Sequence, residues 1–243
     1  MEAVGVIPAR FHSSRFEGKV LADIYGKPMI QHVWERAKQA KLLDNLIIAC
    51  DDERVYKTVK DFGGNAIFTA KEHCSGTERI TEIMNPIDAR IVVNIQADEP
   101  LIQPIMIDSV VGELLKDNSL AAATIVKKIE HVEEISNPNV VKVVFDKHNF
   151  ALYFSRFSIP YVRDKQTEGV VYYKHIGLYA YTKDFLFTYK NLSESKLEKL
   201  EKLEQLRILE NGYRIKVVET KFETFGVDTP QDLERVKQYI SAI

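Results

Sequence analysis

Cations gathered on one loop, and carboxylates standing just past apolar runs, are the residues of this chain whose types and spacing could do chemistry. Residues 4–19 read V-G-V-I-P-A-R-F-H-S-S-R-F-E-G-K and carry Arg10, Arg15 and Lys19 with serines and a glycine between them. Arginine offers a planar fork of donors and lysine a mobile point charge, so the group suits a polyphosphate. Charge alone fits a solvated basic loop equally well. The common nucleotide signatures are absent. Ser13 and Val20 stand where a Walker loop needs glycine and a hydroxyl residue, and no G-x-G-x-x-G occurs.

Asp98 follows the run I-V-V-N-I, with Glu99 beside it and Pro100 stiffening the exit. Hard oxygen donors there suit Mg²⁺, which takes one or two protein carboxylates and completes its shell with phosphate oxygens, although a strand-end turn residue fits Asp98 equally well on local evidence. Asp228, in F-G-V-D-T-P-Q-D, is a second candidate carboxylate, although a helix cap or turn residue would look the same. Ser75-Gly76-Thr77-Glu78-Arg79 opens a helix and can set backbone donors and a hydroxyl against a planar base, or simply cap that helix. His175 at a strand edge, Glu204-Gln205 on a charged helix and Arg156 after a strand each have a bland structural reading beside a binding one. His73-Cys74 finds no matching ligand pair, so zinc is not expected, and no G-x-S-x-G elbow supports nucleophilic catalysis.

These residues need a scaffold that brings sequence-distant loops to one edge. β-Branched runs at residues 4–7, 46–50, 66–68, 91–95 and 120–126 alternate with helical stripes at 28–40, 55–62, 80–84 and 104–115. That rhythm predicts an α/β fold, a doubly wound, mostly parallel sheet, which binds ligands at the carboxyl ends of its strands. Beyond residue 130 the rhythm changes to a hairpin at 140–155, further strand at 170–173 and 176–181, one charged helix at 197–210, a strand at 215–219 and a closing helix at 230–240. The whole chain, 1–243, is expected to form one domain: a nucleotide part at about 1–130, a hairpin arm at about 131–182 and a closing part at about 183–243. An inserted β hairpin of this kind suggests an interaction arm, and a homodimer interface is its expected use.

Composition narrows the partners. Among 243 residues, 33 Lys and Arg against 35 Asp and Glu leave a net charge of −2, which gives no electrostatic reason to expect nucleic acid or an anionic membrane. No apolar run approaches a membrane span, and the first residues pass into a strand without a leader pattern. Cys50 and Cys74 lack framework or metal spacing and read as free thiols, so a cytoplasmic location is expected.

Taken together, I-P-A-R-x-x-S-S-R-x-x-G-K, S-G-T-E-R, N-I-Q-A-D-E-P, N-P-N-V-V-K-V-V-F-D, A-L-Y-F-S-R, K-H-I-G-L-Y-A-Y, L-E-K-L-E-Q-L-R and G-V-D-T-P-Q-D-L-E-R-V closely resemble the 3-deoxy-D-manno-octulosonate (Kdo) cytidylyltransferases of bacterial lipopolysaccharide assembly. The match runs in order over nearly the whole chain. The resemblance implies a nucleotide-diphospho-sugar transferase type of fold and the reaction of CTP with Kdo to give CMP-Kdo and pyrophosphate, with Mg²⁺ required. It implies that Arg10 and Lys19 grip the triphosphate with Arg15 nearby, and that Pro8, Ala9, Ser75, Gly76, Thr77 and Arg79 face cytosine and ribose. It also implies Asp98 and Asp228 as Mg²⁺ carboxylates, and Gln96, Arg156, His175, Tyr179, Glu204 and Gln205 as the sugar site, with Arg156 on the Kdo carboxylate.

Two positions depart from the family pattern. Ala97 replaces the usual glycine, which matters if that backbone needs a positive φ or a close approach, and Glu17 replaces the usual proline, which leaves the loop less constrained. The rival readings are a cytidylyltransferase for another 2-keto sugar acid, 8-amino-Kdo or a sialic acid, and a non-catalytic nucleotide-binding dimer on the same fold.

Overall fold

A computed structural model describes residues 1–13, 15–71, 73, 75–164 and 169–241. The chain opens with β1 (Ala3–Ala9), a wholly apolar strand but for Gly5, followed by the basic loop and a single 3₁₀ turn at Lys19–Leu21. A two-stranded ribbon, β2 (Asp23–Ile24) and β3 (Lys27–Pro28), leads into α1 (Met29–Ala37), whose Met29, Ile30, Val33 and Ala37 face inward. Then come β4 (Asn45–Cys50), α2 (Glu53–Asp61, capped by the Asp52 carboxylate and closed past Gly63 at φ 79°), β5 (Ala66–Phe68), α3 (Gly76–Met84), β6 (Ile91–Asn94), α4 (Pro104–Lys116) and β7 (Ala122–Lys128). The second half holds α5 (Val132–Ser136), β8 (Lys142–Phe145), β9 (Ala151–Ser155), β10 (Tyr173–Thr182), α6 (Lys183–Asn191), α7 (Lys196–Glu201), α8 (Gln205–Glu210), β11 (Ile215–Thr220) and α9 (Pro230–Ser241).

The main sheet has nine strands, in the order β11-β7-β10-β6-β1-β4-β5, with the β8–β9 hairpin attached to β10. Every neighbour pair along the main path is parallel except those made by β10, which runs antiparallel to both β6 and β7. From β1 the chain winds outward through β4 and β5, then returns to place β6 on the other side of β1. The β1/β6 border is thus a topological switch point, where the loops leaving two parallel strands diverge and a crevice opens.

Helices cover both faces. Ile30, Val33, Val55, Val59, Met106 and Val110 pack on one, and Ile80, Ile83, Phe185, Leu186, Leu206 and Ile208 on the other. This explains the continuous apolar character of β1, β4 and β6, since a strand buried on both faces loses the polar alternation. Each fully buried Ile or Val contributes about 1.5–3 kcal/mol, so β1 and β6 form a stiff base for the loops they release.

Two expectations for the second half are corrected. The charged helix expected over 197–210 is two short helices. Lys202 takes a left-handed conformation at φ 54° and ends α7, and α8 starts afresh at Gln205. Of the strand pieces expected at 170–173 and 176–181, residues 170–172 are not strand, and the rest belongs to one strand, β10, whose register against β7 shifts between Ile176 and Tyr179. A bulge of this kind re-aims side chains beside it.

Candidate active site

The loop after β1 is drawn tight by its own backbone. Gly18 donates its N–H to the Phe11 carbonyl at 2.9 Å and holds φ 67°, where any Cβ would stand 3.0 Å from the Phe11 ring. Phe16 packs against the small cluster of Ile24, Met29, Leu101 and Val227. The chain is thereby turned so that Lys19 points back toward the end of β6. Glu17 lies 3.2 Å from His12 across the loop.

Lys19 is the centre of the charged group. Its Nζ donates to Asp98 Oδ2 at 2.5 Å, to Asp228 Oδ1 at 3.0 Å and to the Val227 carbonyl at 3.1 Å, which uses all three of its N–H bonds. Burial, the largest influence on this amine, lowers its pKa, but Asp98 and Asp228 together outweigh burial and hold it above the usual lysine value. Arg15 adds a second cation, 3.0 Å from Asp228 Oδ1. Arg10 is exposed and makes no hydrogen bond or ion pair among the described residues.

Asp228 comes from an irregular segment after β11. Its neighbours take over the capping of α9: the Asp232 carboxylate accepts from Thr229 N at 2.9 Å, and Asp232 N donates to Thr229 Oγ1 at 3.2 Å. The Asp228 carboxylate is left to face Lys19 and Arg15. Val227 N donates to the Asp98 carbonyl at 2.9 Å, which ties the two carboxylate-bearing segments together. Beside them Glu99 has a buried Oε2 without a hydrogen-bond partner among the described residues. Burial first, then the charge of Asp98, pushes Glu99 up to about 8.

Asp98 and Asp228 converge on one cation, so the donor set fits a divalent metal completed by phosphate oxygens. No cluster of three or more His, Cys, Asp or Glu converges among the described residues, so any metal here would need most of its ligands from phosphate oxygens or water. Ala97 has ordinary backbone geometry, since it is absent from the positive-φ residues, and its methyl is buried with Ile95, Ile102 and Met106. A positive φ is therefore not what a glycine would supply at that turn.

The other candidate residues fall into separate groups. Ser75 Oγ caps α3 by accepting from Glu78 N at 3.2 Å, and Thr77 donates to the Glu204 carboxylate at 3.3 Å. Gly76 abuts Pro8 so closely that a Cβ would lie 3.3 Å from its ring, which joins the start of α3 to the end of β1 next to Ala9. A cavity of about 650 Å³ opens from here between Ser75, Thr77, Tyr189, Glu198, Glu204 and Arg207. Gln205, beside Glu204, is buried at the start of α8. Lys19, Asp98 and Asp228 do not line this cavity, so the charged group and the cavity are distinct features.

His175 lies on β10 with its Nε2 2.9 Å from Thr124 Oγ1 and its ring against Phe154 and Tyr179. Burial drives it down to about 3, so it is neutral near pH 7. Burial likewise raises the Tyr179 hydroxyl well above its ordinary value. Gln96 reaches the bulge, where a Cβ on Gly177 would stand 3.6 Å from Gln96 Cγ.

Two arginines are engaged within the protein itself. Arg79, expected against the nucleotide, is fully buried: its guanidinium donates to Asp51 Oδ2 at 2.7 Å, to Thr69 Oγ1 and to the Ala70 carbonyl. It joins α3 to the ends of β4 and β5 and faces no open surface. Arg156, expected on a sugar carboxylate, donates to the carbonyls of Glu201, Pro138 and Lys202 and so pins β9 to the end of α7. Its five N–H donors leave two beyond those bonds. His73 pairs with Glu82, and Cys74 lies outside the described residues. Sequence reasoning gave no role to Asp51, Thr124 or Glu99. Only Asp51 and Glu99 carried a signal, as carboxylates just past strand ends.

A basic loop and two carboxylates brought together at the switch point outline a nucleotidyltransferase. The family model described as Cytidylyltransferase matches residues 4–217. A 3-deoxy-manno-octulosonate cytidylyltransferase of Solibacter usitatus (strain Ellin6076) is 53% identical over 98% of this chain and 94% of its own length. One from Geotalea uraniireducens (strain Rf4) is 50% identical over 97% and 98%. A solved CMP:2-keto-3-deoxy-manno-octonic acid synthetase complexed with CTP superposes with a TM-score of 0.94, at 45% identity, over 100% of this chain and 99% of that one. The chain belongs to the cytidylyltransferase family and, within it, to the 3-deoxy-manno-octulosonate cytidylyltransferases.

Proposed function

We propose that the protein transfers CMP from CTP to the anomeric 2-hydroxyl of Kdo, releasing pyrophosphate, as a step toward lipopolysaccharide. The convergence of Lys19, Asp98 and Asp228 at the switch point carries this reading, because it supplies a cation and two metal-binding carboxylates at one place. Arg10, Arg15 and Lys19 bind the triphosphate and spread the charge that builds up on the departing pyrophosphate. Pro8, Ala9, Ser75, Gly76 and Thr77 line the cytosine and ribose side, where the start of α3 presents backbone N–H groups. Arg79 supports that wall from beneath.

Gln96, Arg156, His175, Tyr179, Glu204 and Gln205 orient the sugar acid so that its hydroxyl lies in line with the α-phosphorus, which lowers the barrier by positioning. Arg156 receives the sugar carboxylate with the two donors its carbonyl partners leave over. Asp98 and Asp228 would hold Mg²⁺, which supplies Lewis-acid charge neutralisation and eases deprotonation of the attacking hydroxyl. No side chain needs to bond covalently to the nucleotide.

The same reading includes a homodimer. The β8–β9 hairpin and the turn after it expose Leu152, Phe157 and Tyr161 at 61%, 74% and 82%, an apolar surface suited to a second copy. Light scattering that reports a monomer would remove this part. No helix among the described residues is long and apolar enough to cross a membrane, and Cys50 is a buried free thiol, in keeping with work in the cytoplasm. Phosphorus NMR tests the reaction. CTP, Kdo, Mg²⁺ and enzyme should give one phosphodiester and one pyrophosphate, whereas release of CDP and phosphate would contradict it.

A further inference from the structure

Asp228 is tied forward to α9, where its N–H donates to Asp232 Oδ2 at 3.2 Å, but the segment leading to it, residues 221–228, forms neither helix nor strand and needs anchors of its own. Its downstream anchor is the bond from Val227 N to the Asp98 carbonyl. The upstream anchor is Glu223. One carboxylate oxygen, Oε1, accepts from Lys174 Nζ at 2.5 Å, and the other, Oε2, lies 3.1 Å from Lys127 Nζ.

Both lysines are buried, at 2% exposure for Lys127 and 8% for Lys174, and they are directly paired across the β7/β10 border. Like charges set opposite each other on adjacent strands repel, so the pair persists only with anions between and around it. Glu130 meets Lys127 at 3.0 Å and Glu134 meets Lys174 at 2.8 Å. Glu223 is the partner the two lysines share, and it is the one that sits on the segment carrying Asp228.

We propose that Glu223 is a positioning residue for Asp228, fixed by the Lys127–Lys174 cross-strand pair. Two point charges held on neighbouring strands fix a carboxylate from both sides, which a single flexible lysine cannot do. The span from 223 to 227 is thereby fastened at one end to β7 and β10 and at the other to the loop after β6. Because Lys174 adjoins His175, the same contact keeps the Asp228 carboxylate in register with the strand that carries the sugar-side residues. Gly226 completes the path, lying so near Glu99 that a Cβ there would stand 3.3 Å from Glu99 Oε1.

This inference rests on Asp228 being a metal carboxylate, so its test separates the two ideas. Mn²⁺ binding to the intact nucleotide-free protein, read by electron paramagnetic resonance, is compared for wild type, Asp228→Asn, Glu223→Gln, Glu223→Asp and Glu134→Gln. The expected result is roughly tenfold weaker Mn²⁺ binding in Glu223→Gln, the scale seen when a group orienting a metal ligand is lost. Glu223→Asp, which keeps the charge, should recover part of that loss. Glu134→Gln removes a partner of the same Lys174 away from the Asp228 segment and should leave Mn²⁺ affinity unchanged. Equal weakening in Glu134→Gln and Glu223→Gln would reduce Glu223 to a structural salt bridge and overturn the proposal. Wild-type affinity in Glu223→Gln, with Asp228→Asn weakened, would overturn it too. Wild-type affinity in Asp228→Asn would instead overturn the metal role on which it rests.

Discussion

Replacing Lys19 by methionine should move metal binding and nucleotide binding in opposite directions. In the nucleotide-free protein the ammonium spends all its donors on Asp98, Asp228 and the Val227 carbonyl, so a divalent cation approaching the two carboxylates competes with it. Displacement breaks two charge-assisted hydrogen bonds of about 1.5 kcal/mol each, and water recovers part of that as it solvates the freed ammonium. A net cost of about 1.5–2 kcal/mol corresponds to roughly ten- to thirtyfold in affinity. Lys19→Met should therefore bind Mn²⁺, a hard divalent cation like Mg²⁺, about ten- to thirtyfold more tightly, while CTP affinity falls. Arg15→Met is the control for charge alone, because its pair with Asp228 involves a side chain 61% exposed and is worth at most about 1 kcal/mol. Paramagnetic resonance for Mn²⁺ and calorimetry for CTP read the two affinities. Mn²⁺ binding in Lys19→Met no tighter than in Arg15→Met would refute the displacement, and weakened binding of both ligands would mark Lys19 as structural.

Other outcomes follow from the surrounding geometry. His175, held neutral by burial to about 3, should show ring-proton shifts that stay flat from pH 8 to pH 5, and a midpoint near 6.5 would contradict its burial. Its folded pKa lies below the unfolded value of about 6.5, so stability falls as pH drops through the window between them, with about 1 kcal/mol lost by pH 5.5 in urea titrations. Arg79→Met strands Asp51 in a nearly closed site and should cost about 3–5 kcal/mol of unfolding free energy. Arg10→Met, at an exposed position, should stay within about 0.5 kcal/mol of wild type while weakening CTP binding. Equal stability losses in these two variants would contradict the division between support and contact. Gly18→Ala forces a left-handed residue against the Phe11 ring and should cost about 1–2 kcal/mol, and an unchanged urea midpoint would show the loop to be slack.

Local pattern revealed what local physics controls. The apolar runs of β1, β4 and β6 and the stripes of α1 to α4 were legible because burial on two faces or one dictates residue type directly. The break at Lys202 was not, because Leu197, Leu200, Leu203 and Leu206 keep a helical spacing across the three residues, 202–204, that lie outside both helices. The candidate site divides along the same line. Basic residues on a strand-end loop and Asp98 past a buried strand announce themselves. Asp228 was ambiguous with a cap until Thr229 and Asp232 were seen to cap α9 between themselves. Arg79 carried a charge that suggested a ligand, and its partner Asp51 lies 28 positions away, a pairing that only the fold creates. Glu223 gave no signal at all, since its meaning depends on two lysines brought together by β7 and β10.

The most direct measurement is the initial rate of pyrophosphate release with CTP and Mg²⁺ across Kdo, 8-amino-Kdo and N-acetylneuraminate, with Asp98→Asn alongside. The account predicts turnover of Kdo above the other two acids and its loss in Asp98→Asn. Faster turnover of another sugar acid, or an Asp98→Asn enzyme as active as wild type, would contradict it.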